Sequence, residues 1–367
     1  NGKIAREKIE SIEFRPTLDV VDNAVGSWDA SLDKNGTVIA SYTDTDKNGL
    51  YELYIGGIGI VNAPSNSNGL FYNFINVKNI LFEDYFDTSN AVRMASLFAF
   101  DEKLESLNLS TFDTSKVTGI GTMFSGCKSL TSLDLSSFDT SNVEDMSAMF
   151  QSCFELINLN ISSLNTSKSK DIGFMFNECH SIKSIDLSHF DTSNVEDMIA
   201  MFQNCHELEK LNISSFNTSR VTNTKSMFAM CYKLKSLDVS SFNTSNVTNM
   251  SAMFQQCFEL TTLNVSSFDT SKVTDMKNMF YECKNILNLD LTSFNTLNSV
   301  DMGYMFYGCA KLTNIDLSTF DFSSVTTSSN MFGNVPINSL IYVKDDVSKK
   351  FILGVRSDLS NVQIKNV

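Results

Sequence analysis

Along most of this chain the apolar positions fall into two alternating textures. In KSLTSLDLS, residues 128–136, Leu130, Leu133 and Leu135 are set among polar residues, and the alternation from Leu133 to Leu135 predicts a short strand with one buried face. In SNVEDMSAMF, residues 141–150, Val143, Met146, Met149 and Phe150 fall at helical spacing. Ser141 and Glu144 there make a Ser-x-x-Glu capping box, so a helix of about two turns is expected. Both textures return every 26 residues. Phe86, Phe112, Phe138, Leu164, Phe190, Phe216, Phe242, Phe268, Phe294 and Phe320 form one column, which counts ten coils. Units that repeat at a fixed step superpose on their neighbours and contact only them, which makes a solenoid.

The pattern therefore predicts an α/β solenoid of about ten 26-residue strand and short-helix coils, spanning residues 81–334. Successive strands should form one parallel ladder, right-handed as strand-crossover-strand connections are. Helices pack about 8–10 Å apart and strands about 4.8 Å, so the helical side should splay and the body curve with its strands inside. Alternate coils resemble each other more than neighbours do. TSNVEDMSAMFQSC at 140–153 returns as TSNVEDMIAMFQNC at 192–205 and TSNVTNMSAMFQQC at 244–257, as if a two-coil unit had been copied.

The flanks break the period. Residues 1–80 hold the strand-like runs IESIEF, TVIASY and LYELYIGG and two copies of Asp-Lys-Asn-Gly, at 33–36 and 46–49, whose Asn-Gly signals hairpins. They predict a β-rich N-terminal cap. The stretch from Asp44 also opens like a calcium loop, but Ile55 stands where the bidentate Glu is required, so the hairpin is preferred. Residues 335–367 read as strand, helix and strand, a C-terminal cap over the last coil.

Charge removes several function classes. Lys plus Arg number 28 against 42 Asp plus Glu, and a net charge of −14 repels a phosphate backbone, so no nucleic-acid partner is expected. No stretch reaches the roughly 18 apolar residues of a membrane helix, and the covered region is not expected to span a membrane. The chain opens without an apolar signal core, so an export signal would lie outside it.

Cysteine usage follows the repeat. Cys127, Cys153, Cys179, Cys205, Cys231, Cys257, Cys283 and Cys309 stand one per coil in a single column. Stacked in register, their Cβ vectors run parallel, whereas a disulfide needs them to converge, so free buried thiols are expected. There is no Cys-x-x-Cys, and neither metal nor cofactor is predicted.

The phrase SLTSLDLSSFDTSNVEDMSAMFQSC, with the N-terminal SWDASLDKNGTVIASY and YELYIGGIGIVNAPSNSNGLF, resembles the BspA family of bacterial leucine-rich-repeat surface proteins. That resemblance implies an exported protein attached to the bacterial cell surface and, for some members, adhesion to host matrix proteins or other cells. The first coil departs from the phrase, with Leu97 for Met and Asp101 for Cys, as do Leu164, Ser169 and Ser299.

Two surface columns are candidates for partner binding. On the strand, Asp134, Asp186 and Asp238 alternate with Asn160, Asn212 and Asn264, which keeps like charges two coils apart. The slot after each Cys reads Lys128, Phe154, His180, His206, Tyr232, Phe258, Lys284 and Ala310, an aromatic middle outside the expected core. Exposed rings concentrate binding energy, but these also suit the gap between helix end and strand. Phe174, Tyr281, Tyr304 and Tyr307 scatter over helix positions and are read as shields between coils. The expected function is non-catalytic binding or adhesion, with Phe154, His180, His206, Tyr232, Phe258, Asp134, Asp186 and Asp238 facing a protein or glycan. A structural spacer without a ligand is the alternative. An enzyme is the weaker rival, because a catalytic cluster must depart from the repeat and nearly every carboxylate here belongs to a column.

Overall fold

The chain divides after Lys168 into two units, Asn1–Lys168 and Ser169–Val367, and the computed structural model describes residues 4–365 of it. In the first unit, strands β1 (Ile9–Arg15), β2 (Gly26–Asp29), β3 (Val38–Thr43) and β4 (Tyr51–Gly57) precede β5 (Val61–Asn62), β6 (Asn79–Leu81) and β7 (Phe86–Asp87). They build a five-stranded sheet ordered β2-β3-β4-β1-β6, with β5 and β7 paired beside it. The two Asp-Lys-Asn-Gly copies lie in the loops joining β2 to β3 and β3 to β4, where Gly36 and Gly49 take positive φ. Ile9, Ile12 and Phe14 of β1 are buried, and the Phe14 ring packs on Phe71, Phe82 and Phe86 at 4.7–6.1 Å.

The repeat becomes a stack of coils in each unit. In the first, β8 (Ser132–Asp134) pairs in parallel with β9 (Asn158–Asn160), residue for residue at a step of 26. In the second, β10 (Ser184–Asp186), β11 (Lys210–Asn212), β12 (Ser236–Leu237), β13 (Thr262–Leu263), β14 (Asn288–Asp290) and β15 (Asn314–Leu317) follow at the same step. The stacking also takes in residues that the period leaves with the cap. Asn66 bridges Arg93, and Gly69, Phe71 and Asn73 donate to Ala95, Leu97 and Ala99, at 27 residues or one less. One extra residue hides that coil from a search at 26.

The expected single ladder is corrected. In the second unit β10 pairs with β11 and β12 with β13, before β14 and β15 run on into the C-terminal strands, and in the first β8 pairs with β9. Each pair joins an Asp-bearing coil to the coil that follows it, and Asn160 Nδ2 donates to Asp134 Oδ1 at 2.9 Å across one such pair. The copied 52-residue unit is thus a hydrogen-bonded pair of strands.

The expected short helices are corrected as well. Among the described residues helix is confined to a 3-10 turn at Arg6–Lys8 and to α1 (Asp346–Val355). The segments read as helical are chains of turns. In the first unit, Met123 and Cys127 donate back to Ile120 and Phe124 at 3.1 Å, while Thr122, Phe124 and Gly126 donate to Ser147, Met149 and Gln151 of the next coil at 2.7–2.9 Å. In the second, Ala200, Phe202 and Asn204 reach Lys225, Met227 and Ala229 in the same way, each at 2.9 Å. Turns closed at every third residue bury the same faces that a helix would, which is why Val143, Met146, Met149 and Phe150 mimic its spacing. A helix does not fit here. The Phe202, Phe228, Phe254, Phe280 and Phe306 rings stack at 5.7 Å from coil to coil, far inside the roughly 8–10 Å that packed helices need. The case for a splayed helical side rested on those helices and loses its premise.

Two positions per coil adopt the left-handed conformation, at Ala200 and Asn204 or Ala252 and Gln256, where positive φ lets alternate turns close. A second set of ties runs through threonine. Thr218 Oγ1 donates to the Asn243 carbonyl at 2.9 Å and accepts from the Asn243 N–H at 2.8 Å, and Thr270 clasps Asn295 alike. At the end of the second unit, β16 (Leu340–Val343), α1 and β17 (Val362–Ile364) extend β15 into a four-stranded parallel sheet. Asp345 caps α1 by accepting from the Ser348 N–H at 2.8 Å, and Arg356 at its far end donates to the Phe332 and Val335 carbonyls of the last coil.

Candidate interaction surfaces

Because each coil repeats its neighbour's backbone, residues in one slot must stack, and the slot after each cysteine does so in the second unit. The His206 N–H donates to Asn204, and the Glu207 N–H donates to the His180 carbonyl at 3.2 Å, which holds successive side chains one above another. His180 and His206 lie 4.4 Å apart and 9° from parallel. His206 and Tyr232 follow at 4.6 Å, and Tyr232 and Phe258 at 4.8 Å, the spacing of parallel strands. Lys284 closes the run with Nζ 4.1 Å from the Phe258 ring centre. In the first unit Lys128 stands 6.0 Å over Phe154. Burial, and then the neighbouring His180, hold the His206 imidazole below its ordinary pKa.

This geometry limits what the column can do. His206, Tyr232 and Phe258 have neighbours on both faces, so they present edges to solvent, and all are half-buried. A pyranose ring, which binds by lying flat on an aromatic face, finds no free face on these three. What flanks the edges is charged. Glu207 pairs with Lys233 at 2.9 Å and Glu259 with Lys235 at 3.9 Å in the second unit, as Glu102 does with Lys128 at 2.7 Å in the first.

The strand column is exposed but already engaged. Asp134, Asp186 and Asp238 each accept from the N–H of the serine two residues on, at 2.9–3.0 Å, the Asx turn that ends the strand. Those serines hold all three carboxyls below the usual range, through backbone N–H and hydroxyl. Where acid follows acid, at Asp290 and Asp316, Lys365 pairs with Asp316 and relieves the repulsion.

Cysteine sulfurs line the interior. All eight are buried and outside any disulfide, and Cys205, Cys231 and Cys257 donate to the Phe176, Phe202 and Phe228 carbonyls at 3.2 Å. Burial pushes Cys153, Cys205, Cys257 and Cys309 up to about 12. Thiolate is the reactive form, so iodoacetamide at about pH 8 should leave the folded chain unmodified and label eight sites once it is unfolded without reductant. Intact mass before and after denaturant checks this; labelling of the folded chain, or fewer than eight adducts afterwards, contradicts it.

The sequence reading gave the tyrosines on the turns little weight, and the structure gathers three of them. Tyr281 stacks on Tyr307 at 5.2 Å, and Tyr304 is tilted 58–59° against both, at 6.4 Å from Tyr281 and 5.8 Å from Tyr307. Their departure from the repeat was the available signal, since Gln255 stands one coil before Tyr281 and Asn278 one coil before Tyr304. Among the described residues no three His, Cys, Asp or Glu converge on a metal position, and no helix is long and apolar enough to cross a membrane.

The profile of a family described as "Mycoplasma protein of unknown function, DUF285" matches residues 65–186, 170–263 and 258–338, which together run from 65 to 338. Its start coincides with the first stacked coil at Asn66. No curated protein matches the sequence. Among solved structures, the chain is similar to one titled "Crystal structure of TLR13-ssRNA13 complex", at 14% identity and TM-score 0.20 over 78% of this chain and 54% of that one. It is also similar to "Functional domain of InlJ from Listeria monocytogenes includes a cysteine ladder", at 14% identity and TM-score 0.17 over 76% of this chain and 49% of that one. The chain spans about half the length of these solved chains.

Proposed function

The chain belongs to the DUF285 family, and from that membership together with its stacked coils we propose that it is a non-catalytic binding protein of the bacterial cell surface, of BspA type. Its partner on this reading is a protein met by the ring column His180, His206, Tyr232 and Phe258 of the second unit, whose repeat slot holds Phe154 in the first. The observation that carries the reading is the half-buried run of rings from His180 to Phe258, whose edges lie among paired glutamates and lysines. Aromatic edges in a charged rim are the composition of protein contact sites. Occupied ring faces argue against a glycan as the partner.

Replacing Phe154, Tyr232 and Phe258 together by Ser tests the assignment. Adhesion to immobilised matrix proteins or to cells should fall about tenfold or more, the loss of an aromatic anchor. The melting temperature should drop by only a few degrees, because each stacked pair contributes about 0.5–1.5 kcal/mol. The occupied faces also suit a second reading, a spacer whose rings only stitch coils together. In that case adhesion stays at the wild-type level and the melting temperature alone falls.

A further inference from the structure

We propose that Tyr281, Tyr304 and Tyr307, with the neighbouring carboxylates Asp275 and Asp301, form a docking point for a cationic side chain, arginine or lysine, of a basic protein partner. The proposal rests on the reading of the array as a binding scaffold but not on the ring column. A break in the repeat singles out one place on an otherwise repeating surface, and this corner breaks it twice. The slot of Tyr281 and Tyr307 holds Gln203, Ala229 and Gln255 in the coils before them, and the slot of Tyr304 holds Ala200, Ser226, Ala252 and Asn278. Tyr307 lies flat over Gly333, where a Cβ would come within 2.5 Å of its ring. Tyr304 stands outside the stack of Tyr281 on Tyr307, tilted 58–59° against it, and its half-buried ring is the one to meet an ammonium or guanidinium by its face.

Charge points to the same occupant. Asp275 and Asp301 are bridged in parallel, two carboxylates on adjacent coils, and Asp301 opens the turn that carries Tyr304. Like charges placed side by side cost stability. At Asp290 and Asp316 the chain relieves that cost with Lys365, but among the described residues no cation pairs with Asp275 or Asp301. Their Oδ1 atoms accept the N–H groups of Lys277 at 3.0 Å and Gly303 at 2.8 Å, and Gly303 adds no side chain to cover them. Burial, and then the charge of Glu282, push the Tyr281 phenol up.

The probe is a fluorescein-labelled octa-arginine peptide, titrated into the full chain by anisotropy at two salt concentrations, with octa-glutamate as the control. Tyr304→Ala should weaken binding about tenfold, as loss of a desolvated cation–π contact does. The double variant D275N/D301N should weaken it by a similar factor. Both should fold, since Ala200 and Ala252 hold Tyr304's backbone conformation and Asn223 and Asn249 occupy the Asp slot. Asp134→Asn, on the strand face, should change nothing. Equal binding by wild type and Tyr304→Ala overturns the proposal, as does a loss that Asp134→Asn reproduces, which would mean attraction by net charge alone. The Ser variants of the ring column leave this titration unchanged, so its failure and the failure of the adhesion assay are separate results.

Discussion

Asp101→Asn is expected to leave the stability of the first unit unchanged near pH 4 and to raise it by several kcal/mol near pH 8. Asp101 stands in the slot that holds Cys127 one coil later and is fully buried. One oxygen accepts the Phe74 N–H at 2.7 Å, and the other has no partner among the described residues. Burial raises this carboxyl from 3.8 to about 9, so the folded chain carries it neutral where an unfolded chain carries it charged. The sign follows from proton counting. Between about pH 4 and pH 9 the folded state binds the extra proton, and stability contributed by the group falls continuously as pH rises through that window. At about 1.4 kcal/mol per pH unit, the loss by pH 8 is on the order of 5 kcal/mol. Asparagine keeps the acceptor for Phe74 and stays neutral throughout, so it removes the slope while preserving the shape. Carboxyls of the opposite kind, such as Asp321 held down at about 2, lose their contribution only as pH falls below about 4 and do not overlap this range. Trp28, the one tryptophan, lies half-buried in the same unit, so its fluorescence in urea titrations at about pH 4, 6 and 8 reads the right transition. Parallel pH profiles for wild type and variant would refute the account.

That Asp101 is special could be seen in the sequence, since it interrupts a column of cysteines, but its protonation could not. The same division runs through the whole fold. Register was legible because a 26-residue step becomes a stack once coils repeat. It correctly places Leu133 opposite Leu159 and Ile185 opposite Leu211. The turns were misread as helices because closing a turn every third residue and winding a helix bury nearly the same positions. A discriminating signal was present in two other columns. Gly126, Asn204 and Gly308 share one slot, and Asn278 and Asn330 another, and these are residues that tolerate positive φ. Ala148 and Ser152 obscured it by adopting that conformation without the residue type that announces it. The pairing of strands in twos was foreshadowed by the 52-residue echo, yet only the Asn160 amide on the Asp134 carboxylate says what the echo is for. For the candidate site, sequence fixed that Phe258 and Tyr232 share a column. It did not say that their faces are spent on each other, which depends on ångström spacing rather than on order.

Threonine carries the remaining weight of the stack, and Thr270→Val should be the most damaging conservative change in the second unit. The side chain is fully buried, and its hydroxyl serves both main-chain groups of Asn295, donating to the carbonyl at 2.8 Å and accepting from the N–H at 2.9 Å. Valine preserves volume but forfeits both hydrogen bonds to Asn295, at about 0.5–1.5 kcal/mol each, so a loss of roughly 1–3 kcal/mol follows. Thr270→Ser keeps the hydroxyl and forfeits a methyl, about 1 kcal/mol. The ordering separates this clasp from simple packing, because a packing role would make serine the worse of the two. Position matters too. In a stack where each coil touches only its neighbours, the damage falls on the interface between two adjacent coils and weakens the rest only through it. Hydrogen exchange should therefore quicken first at the amides joining those coils, Met276 and Asn278, which donate to Asp301 and Gly303 at 2.9 and 3.0 Å. Uniform acceleration across the second unit, or a serine variant less stable than the valine one, would show that the clasp does not govern cohesion between coils.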